Sequence, residues 1–457
     1  MIGIGISSPR LEPFHEDPAA KLIFPAVERF LPAELDHHLA RVHAGDWHYN
    51  VLTPQRMLRF ELLQACHPDQ PFYETLRDVW HAWRTTGCVS GAIPTSSSLA
   101  EARARLPTWS LQFLFRHTAA LVSQALPPSP WPGHRVLTLD ASLLAVPNTA
   151  SLRSHFTATC HHHGESYFPQ ALSVWLVLAS NGGVIAEHLG SSRQGEESIA
   201  PYMVAAHLSP DDLILGDGRI GTYATIAQVV ARQAFFLFRA PGRLKLDLHI
   251  IRRYAPDDAD LRLSLTPHVR RRYRDLALPE CLELRAASFS IPARDDLNRT
   301  VQASFLTNLP RASFVPSVLA RLAWVRWGHE TVNNDIKTRL GLGDIRSQTP
   351  EAVRREDLAH LCLGNLVRLL MTQAFPTLPL TASFTSARGA LHRANQALRL
   401  GSQGEEEQLQ LLLEMIRMEQ WSYRPIRAEP RMARPSKRRH RIFKFPRAEW
   451  RAERKAG

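Results

Sequence analysis

Cysteine is scarce in this chain, and long apolar runs are missing. Five cysteines (Cys66, Cys88, Cys160, Cys281, Cys362) are scattered through 457 residues and never form a CxxC pair. A dispersed, odd set argues against a disulfide framework, so a reducing, cytoplasmic setting is expected. The longest apolar stretches, such as 171–179, fall far short of the ~20 residues a membrane helix needs. Where a secretory leader would be apolar, the N-terminal region carries Arg10, Glu12, His15, Glu16 and Asp17, so no targeting segment or membrane insertion is expected. No Walker-type loop or dinucleotide fingerprint occurs, and nucleotide cofactors are not implied. Tryptophan is absent between Trp175 and Trp324. Lysine is rarer still in proportion: Lys21, Lys245, Lys337, Lys437, Lys444 and Lys455 are the only lysines among 55 basic residues.

What is present is basic charge. The net charge is +12 and the pI about 9.9, which favours an anionic partner, nucleic acid first. Much of that charge lies in the tail 431–457, which has little apolar periodicity and reads as a solvated basic end that could contact phosphates. Cys160-His161-His162-His163 invites a zinc reading, but adjacent ligands rarely close a tetrahedral site and no complementary Cys/His pair lies at finger spacing.

The rare Lys337 falls in the most informative segment, Trp324 to Lys337. Steps of four and eleven residues return close to the starting angle of an α-helix, so a continuous helix puts Arg326, Glu330 and Lys337 on one face. Upstream, Asp140 follows the apolar run 136–139 and Asp217 follows 213–216, each reading as an acidic side chain at the end of a buried strand. Two strand-end aspartates and a helical glutamate can converge at one sheet edge and hold two divalent cations roughly 4 Å apart, an arrangement suited to phosphodiester chemistry. Hard oxygen ligands favour Mg²⁺, or Mn²⁺, over zinc. Asp211, Asp212, Glu196, Glu197 and Asp335 are rival carboxylates; on a regular helix Asp335 lies about 140° from Glu330 and points elsewhere.

From roughly Ser96 to Thr377 the chain resembles the DDE transposases of the bacterial insertion sequence 4 family. The likeness is carried, in order, by Ser96-Ser97-Ser98-Leu99 with Arg103 and Arg105, by Asp140 to Pro147, by Phe168-Pro169-Gln170 and by Gly195-Glu196. It continues through Asp217 to Tyr223, Arg326-Trp327 with Glu330 and Lys337, and Arg346 to Pro350. Three departures stand out. Ala323 occupies the place of a tyrosine in the family's helix, and Ala171 and Leu172 follow Gln170 where an arginine is usual. The inserted domain lacks the tryptophan with which some relatives hold a flipped base, so that function is either absent or served by another aromatic such as Tyr254, Tyr273 or Phe289.

The resemblance implies an α/β fold: a ribonuclease H-like catalytic core with a β-rich insertion, a helical N-terminal domain and a helical C-terminal region. It implies Asp140, Asp217 and Glu330 as catalytic metal ligands, Arg326 and Lys337 as DNA contacts, and double-stranded DNA (transposon ends and target) as partner. The implied activity is cut-and-paste movement of an insertion sequence by two-metal hydrolysis and strand transfer. Two other readings stay open: a defective or repurposed DNA-binding protein, and a nuclease that cuts without joining.

Pattern breaks set the expected organisation. Residues 1–20 form an unstructured lead, and a helical domain at 21–127, expected to bind DNA ends, stops at the proline-rich run 127–133. Core strands follow at 135–139, 171–179, 183–188, 212–216 and 235–239, within a first core part at 128–240. A β-rich insertion at 241–316 precedes the second core part at 317–380, which opens with one helix from 317 to 339. C-terminal helices are expected around 385–399 and 405–421 within 381–430, before the basic tail. The stripe Leu409, Leu412, Leu413 and Ile416 suits either the core or a second protomer in a homodimer.

Overall fold

The computed structural model describes residues 17–46, 51–129, 131, 133–157, 160–161, 164–165, 168–241, 244, 249–292, 300–326, 328–399 and 404–418, and Pro18–Lys21 are helical, against the expectation of an unstructured lead at 1–20. The helices ahead of the sheet are α1 (Pro18–Lys21), α2 (Ala33–Asp46), α3 (Pro54–Cys66), α4 (Phe72–Thr85), α5 (Ser96–Arg105) and α6 (Thr108–Gln124). Asp17, Thr53 and Thr95 start α1, α3 and α5 by accepting a hydrogen bond from the backbone N–H three residues on. Buried Arg59 on α3 forks onto Glu28 and Asp36, tying these helices together by charge as well as by packing.

The chain then lays down β1 (Val136–Ala145), α7 (Ala150–Phe156), the short pair β2 (Cys160–His161) and β3 (Gly164–Glu165), β4 (Gln170–Leu178) and β5 (Val184–Ser191). Next come α8 (Glu196–His207), β6 (Leu213–Gly216), α9 (Tyr223–Ala231) and β7 (Phe235–Arg239). After these lie β8 (Ile250–Ala255), β9 (Asp258–Ser264), α10 (Pro267–Arg272), β10 (Cys281–Pro292) and β11 (Thr300–Thr307). The final elements are α11 (Pro316–Val325), α12 (Gly328–Asn334), a π-turn at Asp335–Arg339, α13 (Pro350–Ala374), α14 (Phe384–Arg399) and α15 (Glu405–Met418). His162, His163 and the basic tail lie outside the described residues.

One nine-stranded sheet organises the molecule, in the order β5-β4-β1-β6-β7-β11-β10-β9-β8. β1, β6 and β7 run parallel, and all other neighbours are antiparallel. The expected core strands are all present, because each is a short apolar run whose backbone groups must pair once buried. Strands β8 to β11 fall within 241–316 and continue the core sheet through β7·β11, with Leu306 opposite Phe238.

The sheet is covered on both faces. Val136, Leu213, Leu215 and Leu237 point towards α11 on one side, with Phe289 stacked on Phe305 at 4.6 Å. Leu137, Ile214, Phe236 and Phe238 point to the other side, into the large core that also takes in the N-terminal helices, α13 and α14. The α15 stripe of Leu409, Leu412, Leu413 and Ile416 is buried in that same core. Among the described residues no helix is long and apolar enough to cross a membrane, and Cys66, Cys88, Cys281 and Cys362 are free thiols.

Buried Asp357 on α13 gives the fold a pH dependence. Burial, reinforced by neighbouring Glu187 and opposed by Arg354, pushes its carboxyl up to about 8 from an ordinary 3.8. The native state therefore keeps a proton that the unfolded chain releases, so this group's stabilisation is complete below about pH 4 and lost as pH rises through 8. Urea melts between pH 5 and 8 should show wild-type stability falling more steeply than that of Asp357→Asn; parallel slopes would exclude this assignment.

Candidate active site

The parallel ladder between β1 and β6 ends at the pair Thr138 and Leu215. Asp140 and Asp217 each follow two residues later, so the register carries them side by side past the end of the ladder. Side chains alternate along a strand, which sends Thr138, Asp140 and Asp217 to the face under α11, where Val136, Leu213 and Leu215 are buried. Asp140 itself is not a strand end: β1 continues to Ala145, paired with β4, and only the β6 side of the sheet stops short of it. Asp217 opens a tight turn, its Oδ1 accepting from the N–H groups of Arg219 at 2.8 Å and Ile220 at 3.1 Å. A Cβ at position 218 would lie 3.2 Å from the carbonyl oxygen of Arg239, a tight contact that Gly218 avoids. This close approach brings Arg239, at the end of β7, to the rim of the same site.

Glu330 arrives on the same face. Its neighbour His329 is buried and shares a 2.7 Å hydrogen bond between Nδ1 and the Thr138 hydroxyl, which staples α12 to β1. Burial, with Arg326 nearby, pushes the His329 ring down to about 3, so the staple is neutral. Asp140, Asp217, Glu330 and Arg326 line one cleft of about 1200 Å³, together with Arg219 and Arg239. Burial raises the Asp140 carboxyl; Asp217 and Glu330 raise it further, against the Arg326 charge.

The expected single helix from 317 to 339 is broken. α11 ends at Val325, α12 starts at Gly328, and 335–339 widens into the π-turn. Glycine is a weak link in a helix interior, and buried Asp335, paired with Arg368 of α13 and with Arg339 at 2.7 Å, sets the wider turn. Lys337 is therefore not carried on one straight helical stripe with Arg326 and Glu330. Its Nζ donates to the Leu143 carbonyl at 2.7 Å, and the side chain lies against β1 rather than among the cleft-lining residues.

The rival carboxylates sort clearly. Asp212 pairs with Arg135 at 2.7 Å at the opposite end of β6, and Asp335 is committed to Arg368. Glu196 and Glu197, at the start of α8, are close: Glu197 lines the cleft, and Glu196 pairs with Arg219 at 3.1 Å. Burial, then the charges of Asp217 and Asp140, push the Glu196 carboxyl up to about 7 against the opposing Arg219. Sequence reasoning did not pick out Arg219 or Arg239, although Arg219 sits inside the second-aspartate segment. Of the substitute aromatics, Tyr273 and Phe289 are buried, while Tyr254 is exposed and flanked by the guanidinium groups of Arg252 and Arg311.

Fold and site together define an α/β protein with an acidic, arginine-rimmed cleft at one sheet edge. The chain belongs to the DDE transposases of the insertion sequence 4 family: the family model described as "Transposase DDE domain" matches residues 131–366, which include all three cleft acids. The chain is 23% identical over 359 residues to "Transposase InsG for insertion sequence element IS4" of Escherichia coli (strain K12), covering 77% of this chain and 78% of that relative. Among solved structures it matches the cryo-EM structure of a piggyBac transposase synaptic complex with hairpin DNA, at TM-score 0.36 and 10% identity, covering 87% of this chain and 79% of the other.

Proposed function

We propose that this transposase moves a DNA segment by cut and paste, through phosphodiester hydrolysis and strand transfer carried out at the Asp140–Asp217–Glu330 cleft. The observation carrying this reading is the convergence of three acids, distant in sequence, on one cleft rimmed by Arg219, Arg239 and Arg326. The strand order β5-β4-β1-β6-β7, with β4 antiparallel to β1, supports a ribonuclease H-like core.

Divalent metal fits the residues present. The donors are all carboxylate oxygens, the preference of Mg²⁺ and Mn²⁺, and the repulsion that raises Asp140 calls for a countercharge. Among the described residues no three acidic, histidine or cysteine side chains are grouped to enclose one ion. Asp140, Asp217 and Glu330 are the carboxylates that would hold the metal ions. Bound there, the metals would lower the pKa of an attacking water or 3′-hydroxyl and offset charge on the leaving oxygen.

The chain's own residues do the rest. Arg326, Arg219 and Arg239 bind phosphate oxygens along the cleft and orient the backbone for in-line attack. The His329–Thr138 staple holds Glu330 at a set distance from Asp140. Lys337 in this geometry fastens the π-turn to β1, its Nζ donating to the Leu143 carbonyl and the Ser142 hydroxyl, with a third N–H left for a phosphate.

Incubating the protein with Mg²⁺ and duplexes carrying the inverted repeats that flank its coding region tests the reading. Excised ends joined to target DNA are expected. Nicks without joining would reduce the protein to a nuclease, and no products in Mg²⁺ or Mn²⁺ would reduce it to a DNA-binding protein.

A further inference from the structure

Beyond the cleft, the sequence Arg270-Arg-Arg-Tyr-Arg274 places four arginines in five positions, at the end of α10 and just after it. A charge run on a short helix is ordinarily a solvated face. Two features set this one apart.

The first is its attachment. Tyr273 is buried and its hydroxyl donates to the Glu197 carbonyl at 2.9 Å, on a residue that lines the cleft. Downstream, Tyr223, the first residue of α9, donates to the Pro279 carbonyl at 2.7 Å, and Tyr202 of α8 donates to Asp275 at 3.0 Å. Three tyrosine hydroxyls thus pin the segment 273–279 across the starts of α8 and α9, the elements that deliver Glu197 and Thr222 to the cleft rim.

The second is unbalanced charge. Several other arginines of the inserted region are neutralised: Arg262 by Glu283, Arg285 by Asp258, and Arg311 by Asp258 and Asp260, while Arg252 lies over the Tyr254 ring. Arg270 likewise pairs with Glu280. Arg271, Arg272 and Arg274 are exposed, and among the described residues none has an acidic partner. Three uncompensated guanidinium groups on a segment pinned beside an arginine-rimmed cleft suit a row of phosphates better than isolated anions.

We propose that Arg271, Arg272 and Arg274 form a docking surface for the duplex DNA backbone flanking the scissile bond. The inference rests on the transposase reading of the cleft and extends its DNA path over α10. Each phosphate contact lowers the slope of log K against log salt by about 0.9. Relative to wild type, the variant R271Q/R272Q/R274Q should therefore show a slope smaller by about 2.7 on a duplex spanning the junction of element end and flanking DNA. Its binding at 0.15 M salt should weaken by about 100-fold, the counter-ion contribution of three contacts.

The triple Arg→Lys variant keeps the charge and should restore the slope. R232Q/R321Q removes exposed charge from the end of α9 remote from the cleft and from the outside of α11, and should leave the slope unchanged. A triple glutamine variant with the wild-type slope, or an equal loss in the control pair, overturns the docking surface alone. Absence of salt-dependent DNA binding by the wild type would overturn the transposase reading itself, a separate outcome.

Discussion

Replacing Glu330 by glutamine is expected to lower cleavage of end-containing DNA by at least about 10³-fold, the scale seen when one member of a concerted catalytic set is removed. The substitution keeps the size of the side chain, removes its charge and turns one acceptor oxygen into an NH₂ donor. Duplex binding measured in Ca²⁺ should stay within about twofold, because phosphate contacts come from the arginines of the rim rather than from the acids. The metal-free variant should melt no lower than wild type, since Asp140 loses one of the repelling charges that raise its carboxyl. Its thermal stabilisation by added Mg²⁺ or Mn²⁺ should shrink, as expected when a ligand that binds only the native state loses affinity. Asp140→Asn and Asp217→Asn should behave alike. Cleavage retained within tenfold would remove Glu330 from the catalytic set, whatever the family likeness.

The second large effect concerns stability. Asp335 is 1% exposed and Arg368 3% exposed, and the two are paired where the π-turn crosses α13. Asp335→Ala should destabilise the protein by about 3–5 kcal/mol, because Arg368 is left buried without a countercharge. Arg339, about a quarter exposed, would keep its own access to water. Substituting Arg368→Met as well removes the stranded charge, so the double variant should recover much of the loss. Guanidinium melts of the two single variants and the double variant provide the cycle. A cost below 1 kcal/mol for Asp335→Ala would show that the pair is not what holds the turn. Cleavage by the double variant should remain impaired even where stability recovers, since the turn follows Glu330 and positions Lys337 against β1.

Much of this was legible in the chain. Apolar runs bounded by turn residues located all five core strands to within a few residues, apart from the extension of β1 to Ala145. The proline-rich run 127–133 marked the end of the helices ahead of the sheet, α6 stopping at Gln124. The three cleft acids were identifiable because each follows a local pattern, two after buried strands and one on a helix. The helix break was not legible: Gly328 alone does not force one, and the π-turn depends on a partner on α13. Nor did local pattern reveal that β11 joins the core sheet, since the pairing of Leu306 with Phe238 is made by chain far apart in sequence.

The sequence by itself determined which segments form the core strands and that Asp140 and Asp217 follow apolar runs, because burial patterns act over a few neighbouring residues. Tertiary structure alone decided that Asp140 and Asp217 share one face, that Arg219, Arg239 and Glu197 join Glu330 at one cleft, and that Lys337 turns to β1. These follow from strand register and from pairings such as Asp335 with Arg368, whose energies depend on packing across the whole fold and leave no local trace in the chain.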